Sequence, residues 1–218
     1  MIKQVSTAIL KTLMGILILC VLQMNGFSRL IGNGSSDAFE GAEQTVIEGY
    51  VMEGAGYFLK SQSDAFLLLN KIELSDLNGV NYTELKQLVS STVSAMENAK
   101  AKYAALIQTA DTTPYRLSII DRLPTFDYYS FQQSRGLNSV IFNETATYLA
   151  AGDVRGLYRK LLSDTQGILD KLNFIKSCVD AGTLPATSYL WRLNQTYAET
   201  FLFGQYTAEI FYDITGKN

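Results

Sequence analysis

The apolar residues of the chain recur at intervals of three and four, which is the period of an amphipathic helix. The most regular stretch begins near Asn81 and ends at Pro114, because the residue before a proline avoids helical geometry. Its apolar and small positions form the kind of seam that packs one helix into the gaps of another. They are Leu85, Val89, Thr92, Met96, Ala99, Tyr103, Leu106 and Ala110.

Three further regions carry the same period. The first runs from near Asp37 to about Ile72. The third covers 137–150, breaks at Gly152 and restarts with Asp153 as its N-terminal cap, and the last follows Pro185 and extends to about Ile214. No stretch shows the alternation of a strand. The pattern predicts an all-α protein, an antiparallel four-helix bundle with a broken third helical region.

The period fails between Asp111 and Arg135, where two of the three prolines lie. This segment also holds an aromatic cluster, Phe126, Tyr128, Tyr129 and Phe131. A long structureless loop is uncommon in a compact domain, so we expect an irregular, aromatic-rich loop with short helical turns across one end of the bundle.

Glycines are unusually frequent in the first helix. Gly41, Gly49 and Gly56 fall near one side of it, and Gly204 lies on the inner stripe of the last helix. Each interior glycine costs about 1 kcal/mol relative to alanine. We predict that they allow the first and last helices to cross closely. The alternatives are that they clear space for a flat ligand or mark a mobile helix.

The N-terminal residues follow the order of a secretory signal peptide. Lys3 and Lys11 precede an uncharged apolar run at 13–22, and small polar residues come next. That run is shorter than the roughly 20 residues needed to span a bilayer. We therefore expect a signal peptide at 1–28, a linker at 29–36 and a single helical domain at 37–218. An uncleaved anchor, or lipidation at Cys20, is the alternative.

Composition narrows the chemistry. The 218 residues include no histidine, which removes the commonest general base and the commonest metal ligand. A net charge of -3 without a basic cluster argues against nucleic acid as a partner. No nucleotide, zinc or haem-attachment motif occurs. The sequence predicts a protein that is not an enzyme and has no cofactor and no metal.

The last helix is the richest in residues suited to recognition. Its aromatic, amide and guanidinium groups offer the flat faces and directed donors that a sugar or an amino acid would contact. Candidate ligand-binding residues are Trp191, Arg192, Gln195 and Tyr197, completed by Tyr128 and Tyr129 from the irregular loop. The ordinary alternative is that these aromatics simply fill a bundle core.

These observations favour a secreted or periplasmic protein, with a bacterial envelope preferred. The first hypothesis is a non-enzymatic helical bundle that acts as an interaction or structural module of the cell envelope. It would bind another envelope protein or a second copy, and would meet the membrane only through an uncleaved or lipidated N-terminus. One alternative is a small polar-ligand-binding bundle, sensor- or carrier-like, that uses the C-terminal helix. A second alternative is a carboxylate-based metal-dependent enzyme.

Overall fold

The computed structural model describes residues 38–75, 79–112 and 120–216. Its helices, in chain order, are α1 (Ala38–Glu73), α2 (Tyr82–Thr112), a 3-10 helix (Ile120–Thr125), α3 (Tyr128–Arg135), α4 (Ser139–Ala150), α5 (Val154–Asp180) and α6 (Thr187–Gly216). Helix accounts for 88% of this part of the chain, which contains no strand. The all-α prediction is confirmed. The proposed signal peptide and linker lie outside the described residues.

Local side-chain signals set several helix ends. Asn81, near which the sequence predicts a helix start, caps α2, because its Oδ1 accepts a hydrogen bond from Glu84 N at 3.2 Å. The Glu84 carboxylate pairs with Lys71 of α1 instead of reaching back to the cap. Asp153 Oδ1 accepts from Gly156 N at 2.7 Å and starts α5. The break before α5 and the helix ends therefore follow from short-range chemistry.

The described part of the segment between α2 and α4, residues 120–138, is more ordered than an irregular loop. Short helical turns were expected there, and it contains the 3-10 helix and α3, which both pack on α4. Its aromatic side chains mostly point inward. The Phe126 ring lies 5.1 Å from that of Tyr128 and 5.3 Å from that of Phe131. Phe131 belongs to the hydrophobic core, and Phe126 and Tyr128 are partly buried against it. Phe142 of α4 lies beside the rings of Tyr128 and Phe131.

The most extensive contact between long helices is that of α1 with α2, and the next is that of α2 with α5. Helix α6 contacts α1, α4 and α5. Among the residues whose burial is described, the core forms two clusters. The first includes Leu68, Met96, Leu172 and Tyr197, one from each long helix. The second lies around Phe142 and joins α4 to α2, α5, α6 and the short helices.

The glycine prediction is wrong at two positions. An added Cβ at Gly56 or Gly204 would meet no other atom within 4 Å beyond its own helix and chain neighbours. Close approach occurs at Gly54, where a Cβ would lie 2.5 Å from Tyr103 Cε1 of α2. Residues two apart on a helix point to nearly opposite sides, so Gly54 faces α2 while Gly56 faces outward.

The remaining two glycines, Gly41 and Gly49, belong to the backbone of α1. Their surroundings lie outside the described part of the structure. Among the described glycines of α1, the one at a close helix contact is therefore Gly54, and the helix it approaches is α2, not α6.

Candidate functional site

Three of the predicted ligand-binding residues lie on exposed surfaces of α6. Trp191 is 53% exposed, and its Nε1 donates to Glu73 Oε1 of α1 at 3.0 Å. Arg192 is exposed. Gln195 is also exposed and donates from Nε2 to Glu199 Oε1 at 2.8 Å. The polar groups of Trp191 and Gln195 thus have partners within the protein.

Tyr197 is a core residue. Its side chain is fully buried, and its ring meets that of Phe58 edge to face at 5.4 Å. Ser61 Oγ donates to Thr92 O at 2.8 Å and lies 2.6 Å from Tyr197 OH. Since the serine proton is already used, the tyrosine hydroxyl donates to Ser61. Burial raises the pKa of Tyr197 above its ordinary range, so the phenol stays neutral.

The two loop tyrosines lie in a different part of the molecule. Tyr128 is half-buried in the second core cluster, and its hydroxyl donates to Leu123 O at 2.8 Å. Burial raises the pKa of Tyr128 to about 12. Tyr129 is 73% exposed. Tyr197 lies in the first core cluster and Tyr128 packs against the second. The predicted ligand-binding residues of α6 and of the loop therefore do not form one site.

A cavity of about 390 Å³ opens between α4, α5 and α6. Small-molecule sites commonly have volumes of about 300–1,000 Å³, so the cavity is large enough for a small organic molecule. None of the six predicted ligand-binding residues lines it. The lining residues are Asn138, Val140, Ile141, Glu144, Lys160, Asp164, Thr196, Glu199, Thr200 and Phe203.

Lys160 of α5 joins the three helices around this cavity. Its Nζ lies 2.5 Å from Asp164 Oδ2, one turn further along α5, and 3.3 Å from Glu144 Oε1 of α4. It also lies 5.4 Å from the centre of the Phe203 ring of α6. Burial lowers the pKa of Lys160, but the pairing with Asp164 and Glu144 raises it more, so the net shift is upward. The ammonium is therefore charged.

The wall from α6 is built by helical spacing. Thr196, Glu199, Thr200 and Phe203 occupy positions i, i+3, i+4 and i+7, which share one face. Thr196 Oγ1 donates to Arg192 O at 2.9 Å, and Thr200 Oγ1 donates to Thr196 O at 2.9 Å. With these protons used, both hydroxyls retain lone pairs that can accept hydrogen bonds.

The rim from α4 is held in place by its cap. Asn138 Oδ1 accepts from Val140 N at 3.1 Å and from Ile141 N at 3.2 Å. The backbone N–H of Asn138 donates to Tyr206 OH of α6 at 3.1 Å. The start of α4 is thereby tied to α6 at the rim of the cavity.

The acids of the cavity do not converge on a point. In residues 38–75, 79–112 and 120–216, no three cysteine, aspartate or glutamate side chains come together as metal ligands would. The site is thus a polar cavity with separated charges. This cavity was not predicted from the sequence, because the candidate residues were selected around aromatic side chains. The sequence feature that indicates the cavity is the spacing of Thr196, Glu199, Thr200 and Phe203 along one face of α6.

No protein-family model matches this chain, and no curated protein or solved structure matches it either. Within the described part of the chain, none of the helices combines the length and apolar character needed to cross a membrane.

Proposed function

We propose that this chain is an exported, non-enzymatic helical bundle that binds a small polar ligand through its C-terminal helix, as a sensor or carrier domain does. The observation that carries the proposal is the cavity between α4, α5 and α6, to which α6 contributes Thr196, Glu199, Thr200 and Phe203. Three of its ten lining residues, Val140, Ile141 and Phe203, are apolar and the others are polar or charged, so the cavity suits a polar small molecule.

The architecture we propose is an antiparallel four-helix bundle of α1, α2, α5 and α6. Contacting pairs support it, because residue numbers rise along one helix while they fall along its neighbour. Between α1 and α2 the pairs are Glu53 with Lys102, Ser61 with Thr92, and Lys71 with Glu84. Between α1 and α6 they are Ser61 with Tyr197 and Glu73 with Trp191.

Two features of the sequence support the rest of the proposal. Export to a periplasmic or extracellular compartment rests on the basic and then apolar order of residues 1–28. The non-enzymatic assignment rests on the lack of histidine throughout the 218 residues. The carboxylates of the cavity are held in ion pairs or amide contacts, which suits binding better than proton transfer.

Native mass spectrometry of the mature protein, purified from its own host, tests the binding function. We expect a bound small molecule that is lost in Thr196→Trp, because the indole would fill the cavity. Ser188→Trp places the same side chain on an exposed position of α6 outside the cavity and should keep the ligand. Circular dichroism checks that both variants fold.

Two results would contradict this function. One is an adduct that survives unchanged in Thr196→Trp, which would place the ligand elsewhere. The other is a protein that carries no adduct and whose melting temperature is unmoved by a panel of cationic, anionic and neutral small molecules, since a ligand that binds the folded state must stabilise it.

A second candidate function is an interaction module of the cell envelope. Exposed aromatic side chains favour it, because such residues are enriched at protein interfaces. Phe174 is 49% exposed, in addition to Trp191 and Tyr129. The partner would be another envelope protein or a second copy.

Light scattering across a concentration series tests self-association. Loss of an observed dimer in Trp191→Ala but not in Lys86→Ala would support this function, and a monomer throughout would argue against the second copy.

A further inference from the structure

The cavity wall is dominated by hydrogen-bond acceptors. Glu144, Asp164 and Glu199 provide carboxylate oxygens, and the hydroxyls of Thr196 and Thr200 have already donated their protons. A ligand that fits such a wall must supply donors. An ammonium group carries three N–H donors and no acceptor, so it matches the wall better than a carboxylate or a phosphate does.

The protein itself shows that an ammonium fits here. Lys160 Nζ lies between a carboxylate of α5 and one of α4, close to the ring of Phe203. A cation beside an aromatic ring and flanked by acids is a recurring way to bind ammonium groups. The side chain of Lys160 therefore serves as an internal example of the ligand's charged group.

Lys160 does not neutralise the cavity. Three carboxylates against one ammonium leave a formal charge of -2. The Lys160 charge is shared between Asp164 and Glu144, while Glu199 accepts a hydrogen bond from the neutral amide of Gln195. A concave surface whose formal charges sum to a negative value attracts cations.

We propose that the ligand of this cavity is an alkyl diammonium compound of the linear diamine or polyamine class. One ammonium binds Glu199 with the hydroxyl oxygens of Thr196 and Thr200, and the second binds Glu144 beside Lys160. The methylene chain lies against Ile141 and Phe203. The inference rests on the proposed ligand-binding function and adds the chemical class of the ligand.

Calorimetric titration with 1,4-diaminobutane at low ionic strength tests the class. The comparison ligands are butane-1,4-diol, which is neutral, and succinate, which is negatively charged. Both have the same number of carbon atoms as the diamine. We expect saturable binding of the diamine alone. Glu199→Gln should weaken it about tenfold, equivalent to about 1.4 kcal/mol. Glu97→Gln makes the same charge change on an exposed position of α2 and should leave the affinity unchanged.

A rescue experiment tests the role of the resident ammonium. Lys160→Ala leaves Asp164 and Glu144 without their cation, so its melting temperature should fall. Methylammonium chloride should then raise the melting temperature of Lys160→Ala more than sodium chloride does at equal ionic strength. The wild-type protein, whose ammonium is in place, should respond equally to the two salts.

The outcomes separate this inference from the proposed function. Diamine binding that Glu199→Gln or Thr196→Trp leaves unchanged would overturn the inference, because the cation would then bind elsewhere. If succinate or butanediol binds and is lost in Thr196→Trp, or if the native adduct proves to be uncharged or anionic, the ligand-binding function stands and the cationic class is wrong.

Discussion

The contact between Gly54 and Tyr103 decides whether replacing Gly54 by alanine raises or lowers the stability of the protein. Replacing Gly54 by alanine adds a Cβ that would lie 2.5 Å from Tyr103 Cε1 and 2.9 Å from Cδ1. Real Cβ atoms essentially never approach another heavy atom within 3.0 Å, so the ring or the helix has to move. Tyr103 is buried, which leaves the ring little room.

Two effects oppose each other in Gly54→Ala. Alanine favours the helix by about 0.5–1 kcal/mol relative to glycine. Overpacking a well-packed core costs about 1–3 kcal/mol. We expect a net loss of about 1 kcal/mol in the free energy of unfolding, within a range of about 0–2.5 kcal/mol. Gly56→Ala, two residues away with open space around it, should instead gain about 0.5–1 kcal/mol.

Thermal and urea unfolding of the two variants measure the difference directly, because the helix term cancels between them. For a domain of this size about 1 kcal/mol corresponds to about 2–4 °C in melting temperature, so the variants should differ by several degrees. In a Tyr103→Leu background the penalty at Gly54 should largely disappear, since the ring is gone. A Gly54→Ala protein as stable as Gly56→Ala would refute the reasoning.

Three further predictions concern groups with defined partners. Ser61→Ala should destabilise the fold by about 1–3 kcal/mol, because it leaves the buried Tyr197 hydroxyl without its acceptor. This loss should exceed that of Tyr197→Phe, and chemical denaturation measures both. Equal losses would show that the hydrogen bonds are not arranged as described. Burial raises the pKa values of Tyr103, Tyr128 and Tyr197, so the folded chain holds phenol protons that the unfolded chain releases near pH 10. The free energy of unfolding should therefore fall as pH rises from about 10 to 12, and a value that stays constant or rises would contradict these pKa shifts. Asp153→Ala should lower the free energy of unfolding by about 1 kcal/mol, because it removes the N-terminal cap of α5. Asp170→Ala, on an exposed turn of the same helix, should lower it less. The melting temperatures of the two variants measure this difference.

Much of the secondary structure was predictable because its causes are local. Asn81, Asp153 and Pro185 act within one helical turn, and the structure starts α2, α5 and α6 at or near the positions they predict. The period of three and four residues likewise identified Met96, Tyr103 and Leu106 as inward-facing, and all three are buried.

The candidate site was not predictable in the same way. Trp191 and Arg192 have the residue types of a binding site, yet the rotation of α6 against its neighbours leaves them exposed and places Tyr197 in the core. The cavity depends on Glu144 from α4, Lys160 from α5 and Glu199 from α6, which lie up to 55 positions apart in the chain. No short-range pattern relates them.

The amino-acid sequence alone determined that the chain is helical, where most helices begin and end, and which chemistries its lack of histidine removes. Tertiary packing decided which glycine needs to be a glycine, which tyrosines are core residues and where the polar cavity lies. The reason is that capping and periodicity act over one or two turns, whereas a cavity and a close helix contact depend on the rotation of each helix about its axis, which only the packed neighbours set.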